Sequence, residues 1–311
     1  MKEVALVTGG AGFIGSHIVD SLMDRGLDVV VVDDESAESN EQFFWKKGTK
    51  KLVVNICHQS EINQVFKSNK PDYVYHLAAE SRIQPTLEDP VKACRTNFLG
   101  TCNLLQAARE HGIKKFMYSS TSSAYGLKNK APQKEDMQRD CLNPYSVTKV
   151  AAEDLCKMYY SLWGVPTVIF RYFNVYGERQ PLRGEYAPVI GIFLRQKAAG
   201  ENMTIVGNGE QRRDFTHVED IVDGLIRVSN AMNGEVDMRY AGEVFELGNS
   251  NNRSINELAD AFGDYPREYI EKRPGEMRET LNTDTKALDV LGWKPKNDII
   301  NYIEVTYEIQ K

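Results

Sequence analysis

Tyr145 and Lys149, in the stretch NPYSVTKVAAE, stand four residues apart. On a helix that spacing puts both side chains on one face, about one turn from each other. A phenol that is to act as a base near neutral pH must have its pKa lowered from ~10 to ~7, a change of ~4 kcal/mol. One positive charge at ~5 Å, in an effective dielectric of ~20, contributes about 3 kcal/mol of that. Lys149 is therefore expected to supply most of the shift. Y-x-x-x-K alone also fits an exposed pair on an amphipathic helix, so it needs company. The run YSSTSSAYG, residues 118–126, offers it: several hydroxyls at the end of a strand-like segment. Turn formation and helix capping account for most of Ser120, Ser122 and Ser123.

The second constellation lies at the start of the chain, in VALVTGGAGFIGSHIVDSLMDRGLDVVVVDDES. Residues 4–8 read as a buried strand, 9–12 as a turn, 13–25 as a helix and 29–32 as a second buried strand. A strand, a glycine turn and a helix start aim unpartnered backbone N–H groups at an anion. Gly9 allows the turn, Gly12 permits close approach of a phosphate, and Gly15 lets helix and strand pack tightly. Asp33 falls 18 residues after Gly15. A carboxylate there hydrogen-bonds the adenosine ribose and repels a 2′-phosphate, which points to NAD(H) over NADP(H). The positive nicotinamide ring would complete the shift of Tyr145.

These residues need a scaffold, and the alternation of signals describes one. Strands are expected at 51–54, 72–77, 115–119 and 167–170, and helices at 60–68, 90–111 and 146–163. That rhythm predicts an α/β fold: a doubly wound parallel sheet of Rossmann type, with its site outside the carboxyl ends of the strands. Residues 1–173 form the expected dinucleotide-binding domain carrying Tyr145 and Lys149. Residues 174–311, less regular, form a smaller substrate lobe, some of whose segments return to the first domain. The net charge of −6 and pI near 5.6 disfavour a nucleic-acid surface, and no apolar run reaches the ~20 residues that would span a bilayer. With no signal core after Met1, the reading places the protein in the cytoplasm. The five scattered cysteines fit reduced thiols used as core filler, and no metal site is expected.

In order along the chain, TGGAGFIG (8–15), HLAAES (76–81), TNFLGT (96–101), SSTSSAYG (119–126), YSVTK (145–149), RYFNVYG (171–177), RRDFTHVED (212–220) and RPGE (273–276) resemble the motif set of extended short-chain dehydrogenase/reductases. The chain is similar to nucleotide-sugar epimerases, in particular UDP-glucose and UDP-N-acetylglucosamine 4-epimerases. The resemblance implies Tyr145 as catalytic base, Lys149 as its tuner and a ribose contact, and Thr121 as the hydroxyl that bonds the sugar O4 and Tyr145. It implies a cofactor site for NAD made by Gly9, Gly12, Phe13, Ile14, Gly15, Asp33, Asn55, Ile56, Leu77, Ala78, Ala79, Asn97, Ser119 and Tyr172 together with Tyr145 and Lys149. On the substrate side it implies Ser81, Ser122, Ser123, Asn174, Val189, Ile190, Arg213, Arg273, Glu276 and Thr280.

Arginine suits a diphosphate because its fork donates bidentately. Asn55 stands where the family has an aspartate, and Glu246 where it has an asparagine. Related 4,6-dehydratases carry an Asp-Glu pair where this chain has Ser122 and Ser123, which counts against dehydration. By the same resemblance Thr280 occupies a position expected to face the sugar, where a small residue implies room for a 2-acetamido group, favouring UDP-GlcNAc/UDP-GalNAc ahead of UDP-Glc/UDP-Gal. A UDP-hexuronic acid 4-epimerase or decarboxylase is the alternative, and a catalytically silent dinucleotide sensor the non-enzyme one. The resemblance also implies a homodimer through two helices per subunit.

Overall fold

The computed structural model describes residues 2–37, 40–183, 187–229, 238, 240–272 and 277–309. Its centre is a seven-stranded sheet in the order Val244–Leu247, Thr167–Tyr172, Lys115–Thr121, Tyr73–His76, Val4–Thr8, Asp28–Asp33, Lys50–Val53, with every pairing parallel. An all-parallel sheet must be covered on both faces. The alternation along the first strand shows how: Ala5 and Val7 enter one core, with Ile18 and Leu22 of helix Phe13–Asp24 and Ile221 and Leu225 of helix Val218–Ser229. Leu6 enters the other, with Phe66, Leu104, Ala152 and Cys156 from three helices. The chain leaves the first strand to one side for the next two and crosses to the other side for Tyr73–His76. That reversal opens a crevice at the carboxyl ends of the strands, where such sheets bind ligands.

Three departures from the sequence reading bear on function. Two strands run further than the apolar patterning indicates, reaching Thr121 and Tyr172, so both residues sit at the sheet edge above the crevice. The segment expected as one helix over 90–111 is divided: α-helical at Pro90–Ala93, π-helical at Cys94–Gly100, α-helical again at Thr101–His111. Such a wide turn is a common device at functional sites. Here it turns Asn97 inward, where its side chain receives the Glu80 N–H at 2.8 Å and donates to the Thr148 hydroxyl at 3.0 Å. Finally, Val244–Leu247, far along the chain, supplies the sheet's edge strand.

Of the cysteines, all free, only Cys156 is fully buried and Cys94 is exposed, so core filling explains the first and not the second. Among the described residues, no helix is long and apolar enough to cross a membrane.

Behind the hydroxyl-bearing strand lies a buried charge network. Arg171 donates to Glu153 through Nη2 at 2.8 Å and Nε at 2.9 Å, and to the Tyr125 hydroxyl at 2.7 Å. Ser120 donates to the same carboxylate. Glu246, the residue that departs from the family pattern, pairs in register with Arg171 across the sheet. Its carboxyl has no hydrogen-bond partner and lies 3.9 Å from the guanidinium. Burial pushes it up to about 8, with Asp284 adding to the rise and Lys286 opposing it.

Residues 189–229 and 252–303 contribute a third core around Ile190, Phe193, Ile205, Phe215, Leu258 and Ile303. It flanks the crevice.

Candidate active site

The crevice encloses a cavity of about 520 Å³, lined from both sides of the sheet edge. Its floor is the glycine turn. Gly9 has φ +68°, a conformation that disfavours a side chain, and a Cβ there would come within 2.7 Å of the Ala78 amide. A Cβ at Gly15 would collide with the Gly9 carbonyl. Gly12 is the N-cap of helix Phe13–Asp24 and supplies no side-chain cap, which leaves the helix's first amides for a ligand. Asp33 lies at the cavity wall with Oδ2 accepting from the Ala11 N–H at 3.0 Å and Oδ1 from Glu35 at 2.9 Å. Burial raises its pKa against those two backbone donors. A cradle that any Cβ would fill, donor-rich and ending in a buried carboxylate, fits a dinucleotide.

Tyr145 lies in the first turn of helix Pro144–Trp163, two residues earlier than the expected helix start. The start is fixed by Pro144 at N1 and by a capping box in which Asn143 and Ser146 satisfy each other's amides. Tyr145 therefore sits at the positive end of the helix dipole. Thr121 and Tyr145 line the same cavity, and the Thr121 hydroxyl acts to lower the pKa of the phenol. The Thr121 Oγ1 accepts the Ser123 N–H at 3.1 Å, which holds it at the turn that ends the strand. Ser119 and Tyr172 hydrogen-bond through their hydroxyls at 2.9 Å beside them.

The electrostatics differ from the expectation drawn from spacing. Burial raises the Tyr145 phenol; the Thr121 hydroxyl and the charge of Arg82 pull it down. Tyr145 keeps some surface exposure while its ring sits deep in protein, and the deep setting decides the sign. Lys149 is itself pushed down to about 7 by burial, with Cys156 and Glu153 opposing. Its Nζ lies 4.4 Å from the centre of the Tyr118 ring. Spacing puts Lys149 on the right face, but desolvation weakens the charge it was expected to bring.

Below the phenol, His76 is held between the Thr8 hydroxyl at Nδ1, 2.7 Å, and Thr101 at Nε2, 2.8 Å. Complete burial keeps it neutral, its pKa well below the ordinary value. This chain ties the first and fourth strands to Thr101, the start of helix Thr101–His111, whose hydroxyl in turn donates to the Asn97 carbonyl of the π-helical segment.

Phe13, Ile14, Ile56, Leu77, Ala78, Ala79, Ser119, Lys149 and Tyr172 all line the cavity, as do Ser81, Ser122, Ser123, Asn174, Val189, Ile190, Arg213 and Thr280. Arg213 donates to the Arg212 and Arg278 carbonyls. Thr280 is buried, its hydroxyl accepting from the Asp214 N–H at 3.1 Å and from Asn174 at 3.3 Å. It is no surface residue. Asn55 and Asn97 are not among the lining residues and act from behind: Asn55 donates to Asp34 at 2.8 Å and caps the Cys57 amide. Arg273 and Glu276 lie outside the described residues. Sequence reasoning missed Arg82, Asp34, Phe215 and Met277, which line the cavity too. Arg82 follows HLAAES directly, and a charged residue beside that motif was its only signal.

The profile of the NAD dependent epimerase/dehydratase family matches residues 5–248. A UDP-glucose 4-epimerase of Mycolicibacterium smegmatis is 34% identical over 97% of this chain and 97% of its own length. A UDP-N-acetyl-alpha-D-glucosaminuronate decarboxylase of Bacillus cytotoxicus is 36% identical over 83% of this chain and 79% of its own. Among solved structures, the Thermotoga maritima UDP-glucose 4-epimerase with UDP-glucose superposes with a TM-score of 0.90 at 32% identity, covering 98% of this chain and 97% of that one. A UDP-N-acetylglucosamine 4-epimerase of Methanobrevibacter ruminantium gives 0.88 at 30%, covering 99% of each.

Proposed function

We propose that this chain, which belongs to the NAD dependent epimerase/dehydratase family, inverts C4 of a UDP-sugar, with UDP-N-acetylglucosamine and UDP-N-acetylgalactosamine as its favoured pair. The observation that carries the reading is that Tyr145, Lys149 and Thr121 line the same cavity as the glycine turn and Asp33. A proton acceptor and a dinucleotide cradle open into one space.

In this reading Tyr145, as phenolate, takes the proton of the sugar O4, and Thr121 holds the two oxygens in line. NAD, held by the glycine turn and Asp33, would supply the hydride-transfer chemistry at C4. The 4-keto sugar must then turn, and the space between Thr121, Asn174 and Thr280 is where it would do so. After the turn, C4 would take the hydride on its opposite face while Tyr145 gives the proton back to O4. Ser122 and Ser123 line the cavity with hydroxyls and no carboxyl. That removes the acid–base pair a dehydration would need. Proton NMR of UDP-sugars incubated with the protein tests the reading through the appearance of the C4 epimer. No change in any UDP-hexose, UDP-N-acetylhexosamine or UDP-hexuronic acid would refute it.

Asp33→Ala is expected to weaken NAD(H) binding by ~10-fold or more and to narrow the gap to NADP(H), because ribose hydrogen bonds and repulsion of a 2′-phosphate disappear together. Titration of wild type and variant with both cofactors measures this. Wild-type preference for NADP(H) would contradict the assignment.

Sugar choice rests on Thr280. Its small buried side chain borders the cavity, which supports room for an acetamido group. Thr280→Tyr is expected to lower kcat/KM for the acetamido pair by ~10-fold or more relative to UDP-glucose and UDP-galactose, through a clash with the acetyl group. Equal losses for both pairs would remove Thr280 from that role. The similarity to a glucosaminuronate decarboxylase supports a second reading, in which the oxidised ring carries a C6 carboxylate.

A further inference from the structure

We propose that Asp20, Lys46 and Arg179 form a clasp that closes over the dinucleotide cavity from outside and slows both the entry and the release of NAD. The inference rests on the dinucleotide site and not on the sugar reaction, so either can fail without the other. Asp20 stands midway along helix Phe13–Asp24, which starts at the glycine turn. One of its carboxylate oxygens accepts from Arg179 Nη2 at 2.6 Å, and the other lies 2.7 Å from Lys46 Nζ. The Arg179 guanidinium also lies 5.5 Å from the centre of the Phe44 ring. The clasp thus joins that helix to two segments far apart in sequence, one after strand Asp28–Asp33 and one after strand Val175–Tyr176.

Both segments are walls of the cavity: Asn40 and Phe43 line it from the first, and Pro181 from the second. The first passes over the glycine turn. The Phe44 N–H donates to the Ala11 carbonyl at 2.7 Å, and a Cβ at Gly12 would meet the Asn40 amide nitrogen at 3.9 Å. The second is held against the same helix by His17, whose Nε2 lies 2.9 Å from the Glu178 carbonyl. Arg179 itself has φ +61°, a conformation that disfavours a side chain and persists only where the surroundings impose it. An isolated surface ion pair contributes little, but here one carboxylate is shared by two cations and one of them also faces an aromatic ring. Asp20, Lys46 and Arg179 are not among the lining residues, so they act on a bound dinucleotide only through the walls they hold. A reaction that reduces and reoxidises NAD within one turnover gives such a clasp its use, since the cofactor need never leave.

The test measures both rates of NADH exchange through the fluorescence of the bound nicotinamide: association by stopped-flow mixing, release by a chase with excess NAD+. It is run on wild type, Asp20→Asn, Arg179→Gln, the double variant and Arg179→Lys, and needs no sugar turnover. A clasp that must open whichever way the ligand passes is a barrier, so breaking it speeds both directions alike. Each single variant should release NADH at least ~5-fold faster and bind it faster by a similar factor, so that Kd moves much less than either rate. The double variant should be no faster than the faster single one, because both break the same clasp. Arg179→Lys keeps the charge and should recover most of the slow exchange. Unchanged rates in Asp20→Asn and Arg179→Gln would overturn the proposal. So would faster release with association unchanged and Kd raised by the same factor, which is the signature of a lost bound-state contact or a loosened fold. Multiplying effects in the double variant would also overturn it, because Asp20 and Arg179 would then act separately.

Discussion

Tyr145→Phe is expected to lower kcat by ~10³-fold while leaving the fold and bound nucleotide in place. The ring packs in the first turn of a helix whose start is fixed by Asn143, Pro144 and Ser146, none of which needs the phenol oxygen. What disappears is the phenol oxygen that lines the cavity beside Thr121 and that would accept the proton. Thr121 cannot take over, since an alkoxide would be far less accessible than a phenolate near neutral pH. KM should change little, because the lost interaction is made chiefly as the O4 proton moves. Steady-state rates on the best UDP-sugar, with circular dichroism to verify the fold, measure this. Turnover near the wild-type rate would remove Tyr145 from the mechanism.

The largest expected loss of stability follows Glu153→Ala, at about 3–5 kcal/mol. Glu153 is fully buried and receives two hydrogen bonds from Arg171 as well as the Ser120 hydroxyl. Removing it strands a buried guanidinium. Glu246 is the nearest substitute, yet at 3.9 Å it makes no hydrogen bond, and with its pKa pushed up to about 8 it stays largely protonated at neutral pH. Urea unfolding of wild type and variant gives the difference. A loss under ~1 kcal/mol would mean that Arg171 finds another partner, with Glu246 ionising beside it as the first candidate.

The parallel sheet was legible in the sequence because its strands are short, continuous apolar runs separated by helical spacing, and Gly9, Gly12, Gly15 and Asp33 marked the crevice. Thr121 and Tyr172 sit on strand ends that apolar patterning could not reach, since the strands continue through polar residues there. The π-helical turn at Cys94–Gly100 was invisible because it interrupts no amphipathic pattern; one extra residue per turn leaves the composition unchanged. The phenol's surroundings were only partly legible, for a different reason. Spacing locates Lys149 but says nothing of desolvation, which pushes its own pKa down to about 7, and nothing of Arg82, brought from another part of the chain by the fourth strand. Asn55 and Asn97 were read as cofactor contacts, but neither lines the cavity; both hold backbone behind it.

The central claim is that C4 of the sugar is oxidised and reduced in one pocket with its hydrogen conserved. It is tested most directly with a UDP-sugar carrying deuterium at C4, incubated with the protein in ordinary water and followed by NMR and mass spectrometry. The account predicts an epimer that keeps its deuterium on C4, with none exchanged into water and none lost as the equilibrium is approached. Epimer carrying hydrogen at C4 would contradict it, because inversion would then proceed by removing a proton from carbon.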